Sequence, residues 1–565
     1  MPAVRTASAR TLPAALALGL ALSLAAPVAA GADPVLDLPA SVDFGSTAFG
    51  HPVTRVVEIG VNGGAGAPVS FGPTFTQTPD ATPGTNGEFS VTDDDCSGTQ
   101  VAPGGTCSVT LSFRPWDLES REGTLLVRDP AGETIGTVPL AGYGTEDAEG
   151  TYYETVPTRL LDTRTSGTRK PLAAGSTTTV KVGGRAGVPT SGVSAVVVNL
   201  TAVDTAWKGY FTAYPSGKPR PNASTVNFPK GWTGASMATV PVGADGAIRL
   251  HTYGGPAHAV VDVVGWYAAD DSVRDAEGVG TMLHQFGEVE RLFDSRREGG
   301  VLRGGDHIEF HVDWGTPEDN AVVRSWVLNV TAVGATRPGV VTAWSGAGSR
   351  PRASTLNYQP GVVAPNMAVV TAGHPVGGGT SFRLDTVSSG SVHLVVDVVG
   401  VMLSDQESGL RFEALPTLTR IADSRAGLGL RGAIPAHGTR TLDLSGATPS
   451  PTTVVTTMTG ILPSARTYLS VWPHDMASRP VASVLNVEKG QVRSASAYLP
   501  AGTNNSTDIY ADARTDLVVD AVGSFYGYDH VNGGQDADPA ARGVRPPAAS
   551  WSHDGLPEDV RTVRR

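Results

Sequence analysis

The chain has 565 residues, too many for one hydrophobic core, so several domains are predicted. Its 69 Gly and 41 Pro accompany 40% apolar residues, a mix that suits many short strands and turns and excludes disorder throughout. A formal charge of −12 provides no basic excess for phosphate, which excludes nucleic acid as an expected partner.

Arg5 and Arg10 precede an apolar run from Leu12 to Ala26, and small residues follow to Ala32. This is the order of a secretory signal, with cleavage fitting after Ala30 or Ala32. A membrane anchor fits less well, because the run is short and interrupted by Pro13. No later stretch reaches the roughly 18 apolar residues of a spanning helix. Residues 1–32 therefore read as a signal peptide. The mature protein is expected to be secreted, extracellular or cell-wall associated, with no membrane insertion after cleavage and no membrane-retained anchoring signal at its C-terminal end.

Residues 33–146 contain Val42-Asp43-Phe44-Gly45, Phe89-Ser90-Val91-Thr92, Cys107-Ser108-Val109-Thr110-Leu111-Ser112-Phe113, Gly123-Thr124-Leu125-Leu126-Val127 and Val138-Pro139-Leu140-Ala141-Gly142-Tyr143. Short strand-like runs separated by Gly and Pro predict a β-sandwich. Cys96 and Cys107 are the only cysteines. An even count behind a secretory signal predicts a disulfide, with Pro103-Gly104-Gly105 available for the intervening turn. These motifs resemble the immunoglobulin-like family named after abnormal-spindle, SPD and hydin proteins, whose bacterial members are called choice-of-anchor D. That resemblance implies a binding or spacing module.

The rest of the chain is an internal repeat. Arg159-Leu160-Leu161-Asp162-Thr163-Arg164 returns as Arg291-Leu292-Phe293-Asp294-Ser295-Arg296 and Arg420-Ile421-Ala422-Asp423-Ser424-Arg425. The marker Asp recurs after 132 and then 129 residues, so each unit is large enough for its own core. Next comes an apolar strand, Val196-Val197-Val198-Asn199, matched by Trp326-Val327-Leu328-Asn329 and by Val454-Val455-Thr456-Thr457, where Asn is lost. The loop Arg220-Pro221-Asn222-Ala223-Ser224 recurs as Arg350-Pro351-Arg352-Ala353-Ser354 and Arg479-Pro480-Val481-Ala482-Ser483. Each unit closes on Val260-Val261-Asp262-Val263-Val264-Gly265, Val395-Val396-Asp397-Val398-Val399-Gly400 or Val518-Val519-Asp520-Ala521-Val522-Gly523. A β-branched run of this length reads as a buried strand.

Three tandem β-sandwich repeats in a row, 151–269, 284–404 and 413–528, are therefore predicted, and the fold class is all-β. The repeat resembles a module of secreted actinobacterial proteins found beside peptidases, amidases or lectin-like domains, which implies fold and location rather than an activity. Asp270 to Gly278 reads as a charged linker, and 529–565, polar and rich in Pro, as a disordered tail.

No Gly-x-Ser-x-Gly in a helical context, His-Glu-x-x-His, Cys-x-x-Cys or phosphate loop is present, and no His recurs in all three units. Asp162 and Asp262 with their counterparts supply two carboxylates per unit, the minimum for a glycosidase, but three copies of a catalytic pair would be unusual. Asp93-Asp94-Asp95 could supply hard oxygen ligands to calcium, yet no EF-hand pattern surrounds it, and a turn beside the disulfide is the preferred reading. The sequons at Asn199, Asn222, Asn329, Asn504 and Asn505 read as structural. No cofactor and no metal are predicted.

Asp262, Asp397 and Asp520 sit among Val residues, where an unpaired charge is costly. Arg159 and Arg164, Arg291 and Arg296, and Arg420 and Arg425 are the predicted ion-pair partners within each unit. A candidate binding surface comes from strand alternation. In Tyr210-Phe211-Thr212-Ala213-Tyr214 and its counterparts, one face carries Thr212 and Tyr214, Thr342 and Trp344, or Ser470 and Trp472. A hydroxyl beside an aromatic ring could hold a sugar; packing of these rings under the following loop is the alternative. The sequence thus predicts a non-catalytic adhesion or glycan-binding protein, with cell-wall or extracellular polysaccharide as partner. A passive spacer or coat component and a polysaccharide-active enzyme are the rival readings.

Overall fold

The computed structural model describes residues 36–48, 51–77, 88–115, 120–165, 169–404, 409–448, 451–527 and 560–564. The predicted signal peptide and most of the predicted tail lie outside them. The protein is all-β, built from paired sheets that form several sandwiches.

In the first sandwich, Leu36–Asp37, Val53–Val61, Thr106–Phe113 and Phe89–Asp94 form one sheet. Val42–Ala48, Thr134–Thr145, Ser120–Arg128 and Phe75–Gln77 form the other. Alternate residues of both enter a core that includes Phe44, Ile59, Phe89, Leu111 and Phe113. The Phe89 and Phe113 rings stack at 4.7 Å. Cys96 and Cys107 are bonded, with Cα atoms 5.2 Å apart.

Every repeat has two layers in one strand order. The inner sheet of the first comprises Tyr152–Asp162, His258–Ala268, Val193–Val203 and Gly234–Pro241, and the outer sheet Thr177–Lys181, Ala247–Gly254, Gly209–Pro215 and Val226–Phe228. In the second, the inner sheet comprises Met282–Asp294, Ser391–Leu403, Val323–Val333 and Ala364–Thr371. In the third it comprises Arg411–Asp423, Asp516–Tyr526, Thr453–Ile461 and Val492–Pro500. The recurrent Gly that closes the Val-Val-Asp strand has a steric cause: a Cβ on Gly265 would lie 2.1 Å from the Tyr152 hydroxyl, and one on Gly400 would lie 2.3 Å from the His284 carbonyl oxygen.

The inner sheets are buried on both faces, which explains their unbroken apolar runs. Val196, Val198 and Leu200 face the core of their own sandwich. Ala195 and Val197, one step out of phase, face a further core shared by all three repeats. That shared core joins Tyr152, Met237 and Tyr267 to Leu283, Val327 and Met402, and to Phe412, Tyr498 and Phe525. Tyr267 of the first repeat lies 4.4 Å, ring to ring, from Phe412 of the third. The repeats thus differ from the expected row of separate domains. They pack into a single body, because a sheet with two apolar faces must cover both.

Within the expected charged linker, Asp271–Val273 and Arg274–Glu277 form short helical turns, and Asp271 accepts the Ala148 N–H at 3.0 Å. Val560–Arg564, within the expected disordered tail, pairs antiparallel with His307–Val312 at the edge of the second repeat's outer sheet. That edge strand has unpaired backbone groups for another strand to take, which gives the segment its order.

Candidate functional site

Strand register sets a polar row across each inner sheet. Arg159 lies opposite Asp262, Asp262 opposite Asn199, and Asn199 opposite Met237. The same places hold Arg291, Asp397, Asn329 and Met367 in the second repeat. In the third they hold Arg420, Asp520, Thr457 and Ser496.

Arg159 donates to both oxygens of Asp262, from Nε at 2.9 Å and Nη2 at 3.2 Å, and to Asp162 from Nη1 at 3.1 Å. Arg164 closes a second fork on Asp162 at 2.9 and 2.8 Å. Arg291 pairs with Asp397, and Arg296 with Asp294 at 2.6 Å. Arg420 pairs with Asp520 at 2.8 Å, and Arg425 with Asp423 at 2.7 Å. Hydrogen bonds from Arg164 hold the Asp162 carboxyl at a pKa of about 2, and Arg296 does the same for Asp294. Burial pushes the Asp262, Asp397 and Asp520 carboxyls above the usual range, while the Arg facing each pulls the other way. Both carboxylates of each unit are thus engaged by guanidinium groups.

The hydroxyl inside the Asp-x-Arg motif makes a separate contact to the start of the Val-Val-Asp strand. Thr163 Oγ1 meets His258 Nδ1 at 2.9 Å, Ser295 Oγ meets His393 Nδ1 at 3.0 Å, and Ser424 Oγ donates to Asp516 at 2.8 Å. His258 and His393 share one position, and Asp516 replaces them in the third unit, so a search for His recurring in all three units misses the pattern.

The candidate sugar-binding surface is corrected in favour of its alternative, packing under a loop. Tyr214, Trp344 and Trp472 are each at most 8% exposed, and Thr212, Thr342 and Ser470 are buried with them. The recurrent loop covers that face. Thr212 donates to the Ala223 carbonyl at 2.6 Å, Thr342 to Ala353 at 3.3 Å and Ser470 to Ala482 at 2.6 Å. The Trp344 indole N–H donates to Asp385 at 2.5 Å. Alternation assigns these residues to one face correctly, but it cannot show that a loop returns over that face.

The same loop then receives the next repeat. Asn199 donates to the carbonyl of Ser354 and, at 3.3 Å, to that of Thr355. Asn366 bridges the boundary, donating to Asn199 Oδ1 at 3.0 Å and accepting the Met237 N–H at 2.8 Å. Asn329 donates to Ser483 at 2.6 Å, and Arg291 to Val481 at 3.4 Å. Arg420 donates to the Asn222 carbonyl, and Ser494 to Thr225 at 2.9 Å. First binds second, second binds third, and third binds first, so the repeats close a ring. Asn199 and Asn329 therefore have structural roles, while Asn222 contributes its backbone carbonyl.

A groove of about 910 Å³ lies between the first and third repeats. Trp207, Tyr210, Phe228 and Tyr253 line it from one side, and Leu462 and Val492 from the other. Trp207 is 56% exposed and Tyr253 55%. The Tyr210 and Tyr253 rings stack at 4.8 Å, and Lys230 lies 5.5 Å over the Trp207 ring. At Trp207 the other repeats have Arg337 and Ala465, so repetition gave no signal for this site.

The Asp93-Asp94-Asp95 cluster organises a turn. Asp94 accepts from the Thr74 hydroxyl at 2.7 Å and from the backbone N–H groups of Cys96 and Ser97 at 3.0 and 2.9 Å. These hydrogen bonds outweigh burial and lower its pKa.

No family model matches the chain, and no curated protein matches it. Among solved structures, the secreted serine protease VesC from Vibrio cholerae aligns at 12% identity and TM-score 0.17, over 42% of this chain and about half (51%) of its own. The fibronectin(III)-like modules of Clostridium thermocellum CbhA align at 11% identity and TM-score 0.12, over 41% of this chain and 93% of theirs. The tandem CBM22 domains of Paenibacillus barcinonensis Xyn10C align at 11% identity and TM-score 0.12, over 66% of this chain and 98% of theirs. At such scores these likenesses assign neither a family nor a role.

Proposed function

We propose that the mature chain is a secreted, non-catalytic surface protein that binds an extracellular glycan, such as cell-wall polysaccharide, along the groove between the first and third repeats. One observation carries this reading: Trp207 and Tyr253 are large aromatic residues left more than half exposed beside a stacked Tyr210. Flat rings at a wet surface suit stacking on sugar faces, and Asn227 and Gln491 in the groove lining offer amides for hydroxyl groups. The Cys96–Cys107 disulfide supports an extracellular setting, and among the described residues no helix is long and apolar enough to cross a membrane. The leading sandwich, whose sequence motifs resemble choice-of-anchor D domains, serves in this reading as a binding or spacing module.

A second reading, a passive spacer, has its own support. The recurrent side chains are consumed by ring closure and ion pairing, which is what a purely architectural repeat requires. Retention on insoluble peptidoglycan, chitin, cellulose and whole cell walls separates the two. The glycan reading expects wild-type protein to be retained on at least one of these and a Trp207→Ala/Tyr253→Ala variant of equal thermal stability to be released. Equal behaviour of both proteins on every polymer supports the spacer.

A further inference from the structure

His51 precedes the strand Val53–Val61 of the first sandwich, and Asp147 and Glu149 lie on the connector between Thr145 and Tyr152. Nε2 of His51 is 2.8 Å from Oδ2 of Asp147 and 3.9 Å from Oε2 of Glu149. All three ligand-type atoms lie within 4.8 Å of one another. Tetrahedral coordination at about 2.0–2.2 Å per bond sets ligand atoms roughly 3.3–3.6 Å apart. The two His51 separations bracket that spacing.

The Asp147 side chain is 3% exposed. Its Oδ1 accepts the Glu149 N–H at 3.0 Å, while the buried Oδ2 faces the imidazole. Arg411 of the third repeat donates to the carbonyls of Asp147 and Glu149, at 2.9 Å each, and comes only within 3.5 Å of Oδ2. The guanidinium therefore braces the connector backbone more closely than it neutralises the carboxylate. The cluster thus sets two carboxylates beside one imidazole and one guanidinium. Glu149 and His51 are both partly exposed, so solvent reaches the cluster and can supply a fourth ligand.

We propose that His51, Asp147 and Glu149 form a divalent metal site of the zinc class, with one imidazole nitrogen, two carboxylate oxygens and one open position, that clamps the first sandwich to the ring. The imidazole favours zinc and its first-row neighbours over calcium and magnesium, which prefer all-oxygen ligand sets.

The test uses the full mature chain, freed of metal by chelator and titrated calorimetrically with zinc chloride, with cobalt(II) absorption as an independent readout of coordination. The expected result is one zinc equivalent whose affinity falls at least about tenfold, with loss of the cobalt spectrum, in His51→Ala and in Glu149→Gln. Glu149 is half exposed, so metal-free Glu149→Gln should keep the wild-type melting temperature, while His51→Ala, which takes a partner from the buried Asp147 carboxylate, is compared after circular dichroism shows that it is folded. Absence of stoichiometric zinc binding in the wild type, or unchanged binding in both variants, overturns the proposal. So does calcium binding that displaces zinc and is indifferent to His51.

Discussion

Asn329 donates its side-chain amide to the backbone carbonyl of Ser483 at 2.6 Å, across the boundary between the second and third repeats. Asn199 makes the equivalent contact from first to second, and Thr457 replaces this Asn in the third. One side-chain amide thus ties each of the first two repeats to its neighbour, while Arg420 and Ser494 make the contacts from third to first.

Replacing Asn329 with Ala leaves the Ser483 carbonyl without this donor at a buried boundary and should cost about 1–3 kcal/mol. The three repeats share a core, so the loss should move one common unfolding transition rather than split off a component. Urea unfolding followed by calorimetry checks this; an independent melt of the second repeat alone would contradict it.

Arg159 and Asp262 should respond unequally to removal. Asp262 is fully buried, whereas the Arg159 side chain is one-third exposed. Arg159→Ala strands a buried carboxylate and should cost about 3–5 kcal/mol. Asp262→Ala leaves a guanidinium that can still reach Asp162 and water, and should cost less. Melting temperatures of the two variants at neutral pH give the order directly.

Acid stability follows from Asp162 and Asp294, held at a pKa of about 2 by Arg164 and Arg296 against an ordinary 3.8. A depressed carboxyl stabilises the fold fully above its unfolded pKa and loses that contribution as pH falls through the folded value. The ring should therefore lose stability between about pH 4 and pH 2. Asp262, Asp397 and Asp520, whose pKa values are raised, have the opposite sign and soften the fall without removing it. Asp162→Asn and Asp294→Asn together should flatten the pH profile of the melting temperature.

The Cys96–Cys107 bond closes a short loop, with a sequence separation of 11. Its removal by Cys96→Ala/Cys107→Ala should destabilise the first sandwich by roughly 2–3 kcal/mol. The ring transition should stay in place, because neither cysteine belongs to its cores. Calorimetry of the double variant, with its lower-melting component followed separately, checks both statements.

Local pattern alone determined the all-β class, the internal repeat, the disulfide partners and the need of Asp262 and its counterparts for a cation. Each of these rests on periodicity, composition or the cost of a buried charge, and all three are properties of a short stretch of chain. Only tertiary structure decided that the repeats form a ring rather than a row. An apolar run such as Val196-Val197-Val198 shows that both faces of its strand are covered, but not that the second cover is another repeat. Tyr214, Trp344 and Trp472 lay on the expected strand face and still proved buried, because the loop that covers them comes from further along the chain. Trp207 and Tyr253, and likewise His51 and Asp147, are too far apart in sequence for any spacing rule to join them. Their proximity is created by packing between sheets and between units, where long-range contacts rather than local preference set the geometry.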